Sequence, residues 1–352
     1  MQNAKKQIAV IFGGQSGEHE VSIKSASQVI ENLKKDKYNI IPIAITKSGY
    51  WLVGEEGQEY LENNLEKASQ EGGVKNDFFP KNRIKFPQKF PTIDLVLPIM
   101  HGTFGEDGKL QGVLEMLGLS YAFSGTLASA LAMNKNKTKI IVKSTGLKVA
   151  KDRVISKNEK YNLEKIINKL DFPIVVKPLE LGSSVGIELV NSEKELVSGI
   201  EKALEYGEEV LLEEFVEGRE LTVPVMGNNN PKAFPVVEIV PKVSGWYDYK
   251  AKYEDGGSDH FIPADIPEKI REKVQNEAVK IFKIIGCSDL ARADFIWNTN
   301  NEEIYFLEIN TIPGSTSTSL VPQSAKAEGM DFPDFLDELI EIAIKRNKSK
   351  SL

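Results

Sequence analysis

The chain has 352 residues, 41% of them hydrophobic and 27% charged, with a formal net charge of −7. That is the composition of a soluble globular protein with room for two or three cores. Its negative balance excludes bulk attraction to nucleic acid or an anionic membrane, so any phosphate site must be built locally. The N-terminal MQNAKKQIAVIFGGQSGEHE carries too short an apolar run for a signal peptide, and no stretch approaches membrane-spanning length. A cytoplasmic protein with neither nucleic-acid nor membrane partners is expected.

Residues 7–12 (QIAVIF) read as a buried parallel strand, turned by Gly13-Gly14 into a helix carrying Val21, Ile23, Ala26, Val29, Ile30 and Leu33 at helical spacing. Further strands are predicted at 38–46 and 93–100, then a Gly-rich loop and a helix near 109–118. Strand and helix alternate, which predicts a parallel α/β sheet. Residues 53–90 are polar and weakly patterned and read as an insertion. A second module is expected from about residue 125, with a Lys-rich helix at 134–145 and strands at 172–177 and 209–216. A third begins near 219, with strands at 220–226, 233–240, 290–298 and 303–309, a helix at 267–285 and an amphipathic helix at 333–346. Cys287, the one cysteine, excludes an internal disulfide framework and a cysteine-based zinc site, and reads as a small buried residue.

In LARADFIWN, a strand period puts Arg292 and Asp294 on one face; in IYFLEIN it puts Glu308 and Asn310 on one face. The turn-like NTNNEE joins these strands as a hairpin. Two carboxylates and an amide oxygen then converge as a hard-oxygen site suited to Mg²⁺. Either strand alone reads better as a solvated polar face with a structural Arg–Asp pair; the matched faces favour the metal. Lys177 closes a strand before Gly182-Ser183-Ser184-Val185-Gly186, whose backbone N–H groups can approach a phosphate. There is no G-x-x-x-x-G-K-[ST] and no G-x-G-x-x-G after the first strand, which argues against a P-loop protein and a dinucleotide dehydrogenase. Glu213, before Phe215 and Val216, suits an adenine site, with Glu220 placed to accept from ribose hydroxyls.

The succession strand-Lys-Pro, GSSVG, EEFVEGRE, RADF and EIN resembles the ATP-grasp superfamily. With GGQSGEHEVS (13–22), HGTFGEDGKLQG (101–112), YDYKAKY (247–253) and EINTIPGSTSTSLVP (308–322), it resembles, more narrowly, the D-alanine–D-alanine ligase family over essentially the whole chain. The resemblance implies an α/β ATP-grasp fold. An N-terminal parallel α/β domain (1–124) would precede two α+β modules (125–218 and 219–352) that clamp ATP. It implies ATP-dependent ligation of two D-alanines through a D-alanyl phosphate, for peptidoglycan precursor synthesis. A homodimer is implied by similar enzymes.

By the same resemblance, Lys135 and Lys177 contact ATP phosphates, and Glu213, Phe215, Val216 and Glu220 form the adenosine site. Asp294, Glu308 and Asn310 hold two Mg²⁺ (or Mn²⁺) ions. Glu18 takes the ammonium of the first D-alanine, with Ser183 and Tyr253 as hydrogen-bond partners. Arg292 and the Gly314 N–H stabilise the tetrahedral oxyanion. Ser319, Lys252 and the Leu320 N–H hold the second substrate's carboxylate, and His101 lies near the substrate. Read locally, Lys135 serves equally well as a surface lysine, Glu18 as a first-turn glutamate on a helix dipole, and His101 as a loop cap. His19 and His260 read as surface residues. The segment 244–261 is expected to be a lid over ATP, and Tyr253 implies an amine, D-alanine, as second substrate. A ligase with another acceptor and a non-catalytic nucleotide sensor are the competing readings.

Overall fold

The computed structural model describes residues 4–70, 85–87, 89–182, 186–242 and 256–350. The chain opens with β1 (Lys6–Gly13), α1 (His19–Asn32), β2 (Tyr38–Ile45), β3 (Trp51–Val53), α2 (Glu55–Gln70), β4 (Leu95–Ile99) and α3 (Lys109–Met116). Their sheet has the order β3-β2-β1-β4, with β1 parallel to β2 and β4 and β3 antiparallel to β2. β1 is apolar at every central position because both of its faces are covered. Ile8, Val10 and Phe12 join one core with Ile23, Ala26 and Val29 of α1; Ala9 and Ile11 join another with Leu110 and Leu114 of α3.

Residues 53–90, expected as a weakly patterned insertion, instead begin with the end of β3 and the sixteen-residue helix α2. Leu61 and Ala68 of α2 are buried against the first core, with Tyr60 and Leu65 packed beside them. Acidic Glu55 and Glu56 open the helix and Lys67 lies in its last turn, the arrangement the helix dipole favours. Most of the rest of that stretch lies outside the described residues.

A linking pair, α4 (Thr126–Met133) and α5 (Lys135–Lys143), leads through β5 (Lys148–Val149) to a second unit. That unit holds β6 (Asp152–Ser156), α6 (Leu163–Leu170), β7 (Ile174–Pro178), β8 (Glu188–Val190), α7 (Glu193–Ala203) and β9 (Glu209–Glu214). Its antiparallel sheet, β6-β9-β7-β8, packs Ile174, Val176, Val210 and Leu212 against α6 and α7.

The third unit holds β10 (Arg219–Met226), β11 (Lys232–Ala233), β12 (Val237–Pro241), β13 (Ser258–Phe261), α8 (Glu268–Ile285), β14 (Leu290–Asn298), β15 (Glu303–Asn310), α9 (Leu320–Ala327) and α10 (Phe332–Lys350). Its sheet runs β13-β12-β10-β14-β15-β5, with β11 paired to β10. The single strand expected at 233–240 is two: Lys232 and Ala233 close a hairpin on β10, and pairing resumes at Val237. Pro235 between them lacks the N–H a continuous ladder needs. The last helix leaves this unit, and its Phe335, Leu336, Leu339 and Ile340 complete the core over β1 and α1.

Asp289 ties three segments together. Its buried carboxylate accepts from the Phe123 N–H (2.9 Å), Asn228 (2.9 Å) and Arg346 of α10 (2.9 Å). Removing one side of such a pair strands the other charge in a dry site. Asp289→Ala is therefore expected to lower unfolding free energy by about 3–5 kcal/mol, read by urea titration. Arg346→Met together with Asp289→Ala should lose less than the two single changes summed.

Candidate active site

A cleft of about 400 Å³ lies where the three units meet. Its floor is the β14–β15 hairpin. On β14, Ala291, Ala293, Phe295 and Trp297 face the core under α8, so Arg292 and Asp294 face the other way. β15 would not match this by simple alternation: Ile304 and Phe306 are core residues, and strict period two would bury Glu308 and Asn310 beside them. A register shift between Asp294 and Phe295 breaks the alternation, so that Asp294 pairs with Glu308 while Phe295 pairs with Phe306. Leu307 is the extra residue. This bulge sends Ile309 to the core and turns Glu308 and Asn310 into the cleft.

Arg292 donates from Nε to Asp294 Oδ1 (2.9 Å) and from Nη2 to Oδ2 (2.8 Å), a bidentate pair. The Thr222 hydroxyl also bonds Asp294. Asn310, opposite Arg292, accepts from the Ile312 N–H at 2.9 Å. Above the floor, Lys135 Nζ donates to the Leu181 carbonyl (2.6 Å) and lies 3.7 Å from Glu308. Gly182 completes this wall.

The first unit supplies the acidic wall. Glu18 is the buried N-cap residue of α1, but its side chain makes no capping bond; its N–H donates to the Ser16 hydroxyl at 3.2 Å. Its carboxylate lies against Gly102, where a Cβ would stand 2.2 Å from Glu18 Oε2, so only glycine fits at that positive-φ position. His101 is buried, and burial pushes its pKa down to about 4, with Arg292 also lowering it against a backbone bond to Ile312. A neutral imidazole follows. Its Nε2 meets the Ser25 hydroxyl at 3.3 Å. Sequence reasoning missed Glu106, a second buried carboxylate in the cleft, which accepts from the Gly102 N–H at 2.8 Å. Burial, and then the charge of Glu18, pushes Glu106 well above the ordinary carboxylate range.

The far end is built from Gly314, Thr316, Thr318, Ser319 and Leu320. Ser319 is the N-cap of α9 and Leu320 its first residue, so N–H groups and the positive end of the helix dipole point at this end. The Ser319 hydroxyl meets Thr316 Oγ1 at 2.7 Å.

Two histidine expectations are corrected. His19 is not a surface residue: it is buried, its Nδ1–H donates to the Gly14 carbonyl at 2.6 Å and Nε2 accepts from the Tyr60 hydroxyl at 3.1 Å. Tyr60 belongs to the unanticipated helix α2, which is what covers it. His260 is half-buried on β13 and lines the cleft. Of the expected lid 244–261, residues 258–261 form that edge strand and 244–255 lie outside the described residues, as do Ser183, Lys252 and Tyr253.

Lys177, Glu213, Phe215, Val216 and Glu220 do not line this cleft. Lys177 and Glu213 face away from the core of the second sheet and contact one another. Burial opposes the charge on Lys177, but Glu213, and Glu308 beyond it, raise its pKa above the ordinary lysine value. Burial would raise Glu213, yet Lys177 and Lys139 hold it down at about 2. Phe215 is 37% exposed just past β9, and Val216 follows it. Glu220 sits on β10 opposite Ile296.

Among the described residues no group of three or more His, Cys, Asp or Glu gathers as a metal site. Asp294 and Glu308 on paired strands, with Asn310, instead offer two carboxylates and an amide. That donor set fits an ion that draws its other ligands from phosphate and water.

Two sheet units gripping a cleft, with Lys135 above and acidic strands below, define the ATP-grasp class. Family models for the N-terminal part (residues 7–124) and the C-terminal part (141–341) of D-ala D-ala ligases match the chain. A D-alanine–D-alanine ligase B of Clostridium tetani is 40% identical, over 97% of this chain and 94% of the relative. One of Natranaerobius thermophilus is 38% identical, over 98% and 97%. Among solved structures, the VanG D-Ala:D-Ser ligase of Enterococcus faecalis superposes with a TM-score of 0.80 at 38% identity, over 97% of this chain and all of that one. A Bacillus anthracis D-alanine–D-alanine ligase complexed with ATP gives 0.75 at 31%, over 99% and 100%. The chain belongs to the D-alanine–D-alanine ligase family.

Proposed function

We propose that this chain joins two D-alanines with ATP, releasing ADP and phosphate, through a D-alanyl phosphate. The observation that carries this reading is a single cleft in which a buried carboxylate (Glu18), a guanidinium (Arg292), a helix N-terminus (α9) and the paired strands bearing Glu308 and Asn310 all meet. A carboxylate is a poor electrophile, and phosphorylation gives it a leaving group. The work left to the protein is positioning and charge neutralisation.

Glu18 receives the ammonium of the first D-alanine, with Ser183 and Tyr253 as its partners by family resemblance. Lys135 and Lys177 hold the phosphates, while Glu213, Phe215, Val216 and Glu220 hold the adenosine. Asp294, Glu308 and Asn310 would hold two Mg²⁺ (or Mn²⁺) ions, which would supply charge neutralisation for phosphoryl transfer. The first D-alanine's carboxylate oxygen attacks the γ-phosphorus as the bond to ADP breaks. The second D-alanine's carboxylate is held by Ser319, Lys252 and the Leu320 N–H, which aims its amine at the acyl carbon. Arg292 and the Gly314 N–H stabilise the oxyanion before phosphate departs. His101, neutral at physiological pH, orients the loop bearing Gly102 beside the first substrate.

The same reading takes residues 1–124, 125–218 and 219–352 as the three modules, with α10 of the third lent to the first. It also takes the protein as a cytoplasmic homodimer whose dipeptide is consumed in peptidoglycan precursor synthesis. Among the described residues no helix is long and apolar enough to cross a membrane. Incubation with ATP, Mg²⁺ and D-alanine should give ADP, phosphate and dipeptide in equal amounts; AMP with pyrophosphate would contradict the acyl-phosphate route. The likeness to a D-Ala:D-Ser ligase favours D-serine as the rival acceptor. In direct competition, D-alanine should be incorporated ahead of D-serine, D-lactate and L-alanine.

A further inference from the structure

Lys139 carries its charge where almost no water reaches it: its side chain is 2% exposed. It stands four residues after Lys135 and so shares a face of α5 with it. Its ammonium contacts Glu213 and lies 3.2 Å from Asp152, and those two carboxylates are direct register partners across β6 and β9. The second oxygen of Glu213 contacts Lys177. One buried carboxylate is thus held by two lysines, one from a helix and one from a strand. Ions this dry persist only when paired.

The two lysines are not equivalent. Lys177 is near the end of β7, within reach of the Glu308 charge, before the loop that leads to Gly182. Lys139 has both of its acidic partners on the second sheet. A polyphosphate arriving at Lys177 competes with Glu213 for that ammonium, because it brings several charged oxygens. Once Lys177 turns to it, Glu213 keeps one counter-charge.

We propose that Lys139 is a positioning residue for nucleotide recognition: it fixes Glu213 while Lys177 exchanges that carboxylate for phosphate, and the vacated Glu213 oxygen accepts from the exocyclic amine of the base. This rests on the nucleotide-site assignment of Glu213 and Lys177 above. Without Lys139 the departure of Lys177 would leave Glu213 buried and unpaired, so nucleotide binding would have to bear that cost.

Steady-state kinetics on the full chain test it, comparing ATP with ITP, whose base carries an oxo group in place of the amine. Lys139→Met should raise KM for ATP at least tenfold, leave KM for D-alanine within twofold, and shrink the ATP-over-ITP preference in kcat/KM at least fivefold. Lys139→Arg should restore most of both. Lys139→Gln, which keeps a donor, takes the place of the methionine variant under the same criteria if that variant does not fold. An unchanged KM for ATP and an unchanged base preference overturn the proposal. So does a uniform loss of all activities that follows the folded fraction in thermal unfolding. A wild-type chain that forms no dipeptide removes the ligase reading and this proposal together; a competent wild type with an indifferent Lys139→Met removes this proposal alone.

Discussion

Arg292→Ala should lower kcat by roughly a hundred- to a thousandfold while KM for ATP changes by less than about threefold, a loss of about 3–4 kcal/mol in the transition state. The guanidinium lines the cleft floor and is locked by two bonds to Asp294, so it cannot swing away from charge that develops above it. A preorganised cation is worth most where charge appears only during reaction. An arginine that merely bound ground-state substrate would raise KM with kcat intact. Arg292→Lys keeps the charge but loses the two-pronged grip on Asp294, and should recover only part of the rate. Initial-rate kinetics with ATP and D-alanine each varied in turn at saturation of the other separate these cases. An unchanged kcat with weakened ATP binding would refute the oxyanion role.

Glu308→Gln is expected to cost more, about a thousandfold or greater in turnover, equivalent to roughly 4 kcal/mol or more. Glutamine keeps the shape and one oxygen but removes the charge a divalent ion requires. Glu308 is one-third exposed at the cleft floor, so the fold should tolerate the change and thermal unfolding should barely move. The Mg²⁺ concentration giving half-maximal rate should rise strongly. Lys135, 3.7 Å away, loses its acidic neighbour, which should weaken nucleotide binding less than it weakens turnover. Wild-type turnover in Glu308→Gln would sink the metal assignment.

Much of this architecture was legible in the residues. Continuous apolar runs marked β1 and β4, because strands covered on both faces show no alternation. The amphipathic period marked α10. Two things hid the rest. In α2 the apolar stripe is only Tyr60, Leu61, Leu65 and Ala68 within a charged segment, too narrow to stand out before its packing partner is known. His19 then looked exposed because the residue that covers it, Tyr60, lies on that helix.

The site shows the same limits. Reading Glu308 and Asn310 onto one face was sound, but which face depended on a bulge at Leu307 that no local residue preference announces. Glu106 sits in a short charged run, EDG, whose local sequence does not announce burial; the fold buries it, with its carboxylate on the Gly102 N–H. Lys139 was masked by its Lys-rich surroundings, since a charged stretch ordinarily marks a solvated face. Its partners, Asp152 and Glu213, are distant in sequence and meet only across the second sheet.

D-Alanine labelled with ¹⁸O in its carboxylate tests the account most directly. If a nucleotide held over β14 and β15 phosphorylates a carboxylate in the adjoining cleft, one labelled oxygen per dipeptide bond must leave in the inorganic phosphate. Phosphate released without label, alongside dipeptide formation, would contradict it.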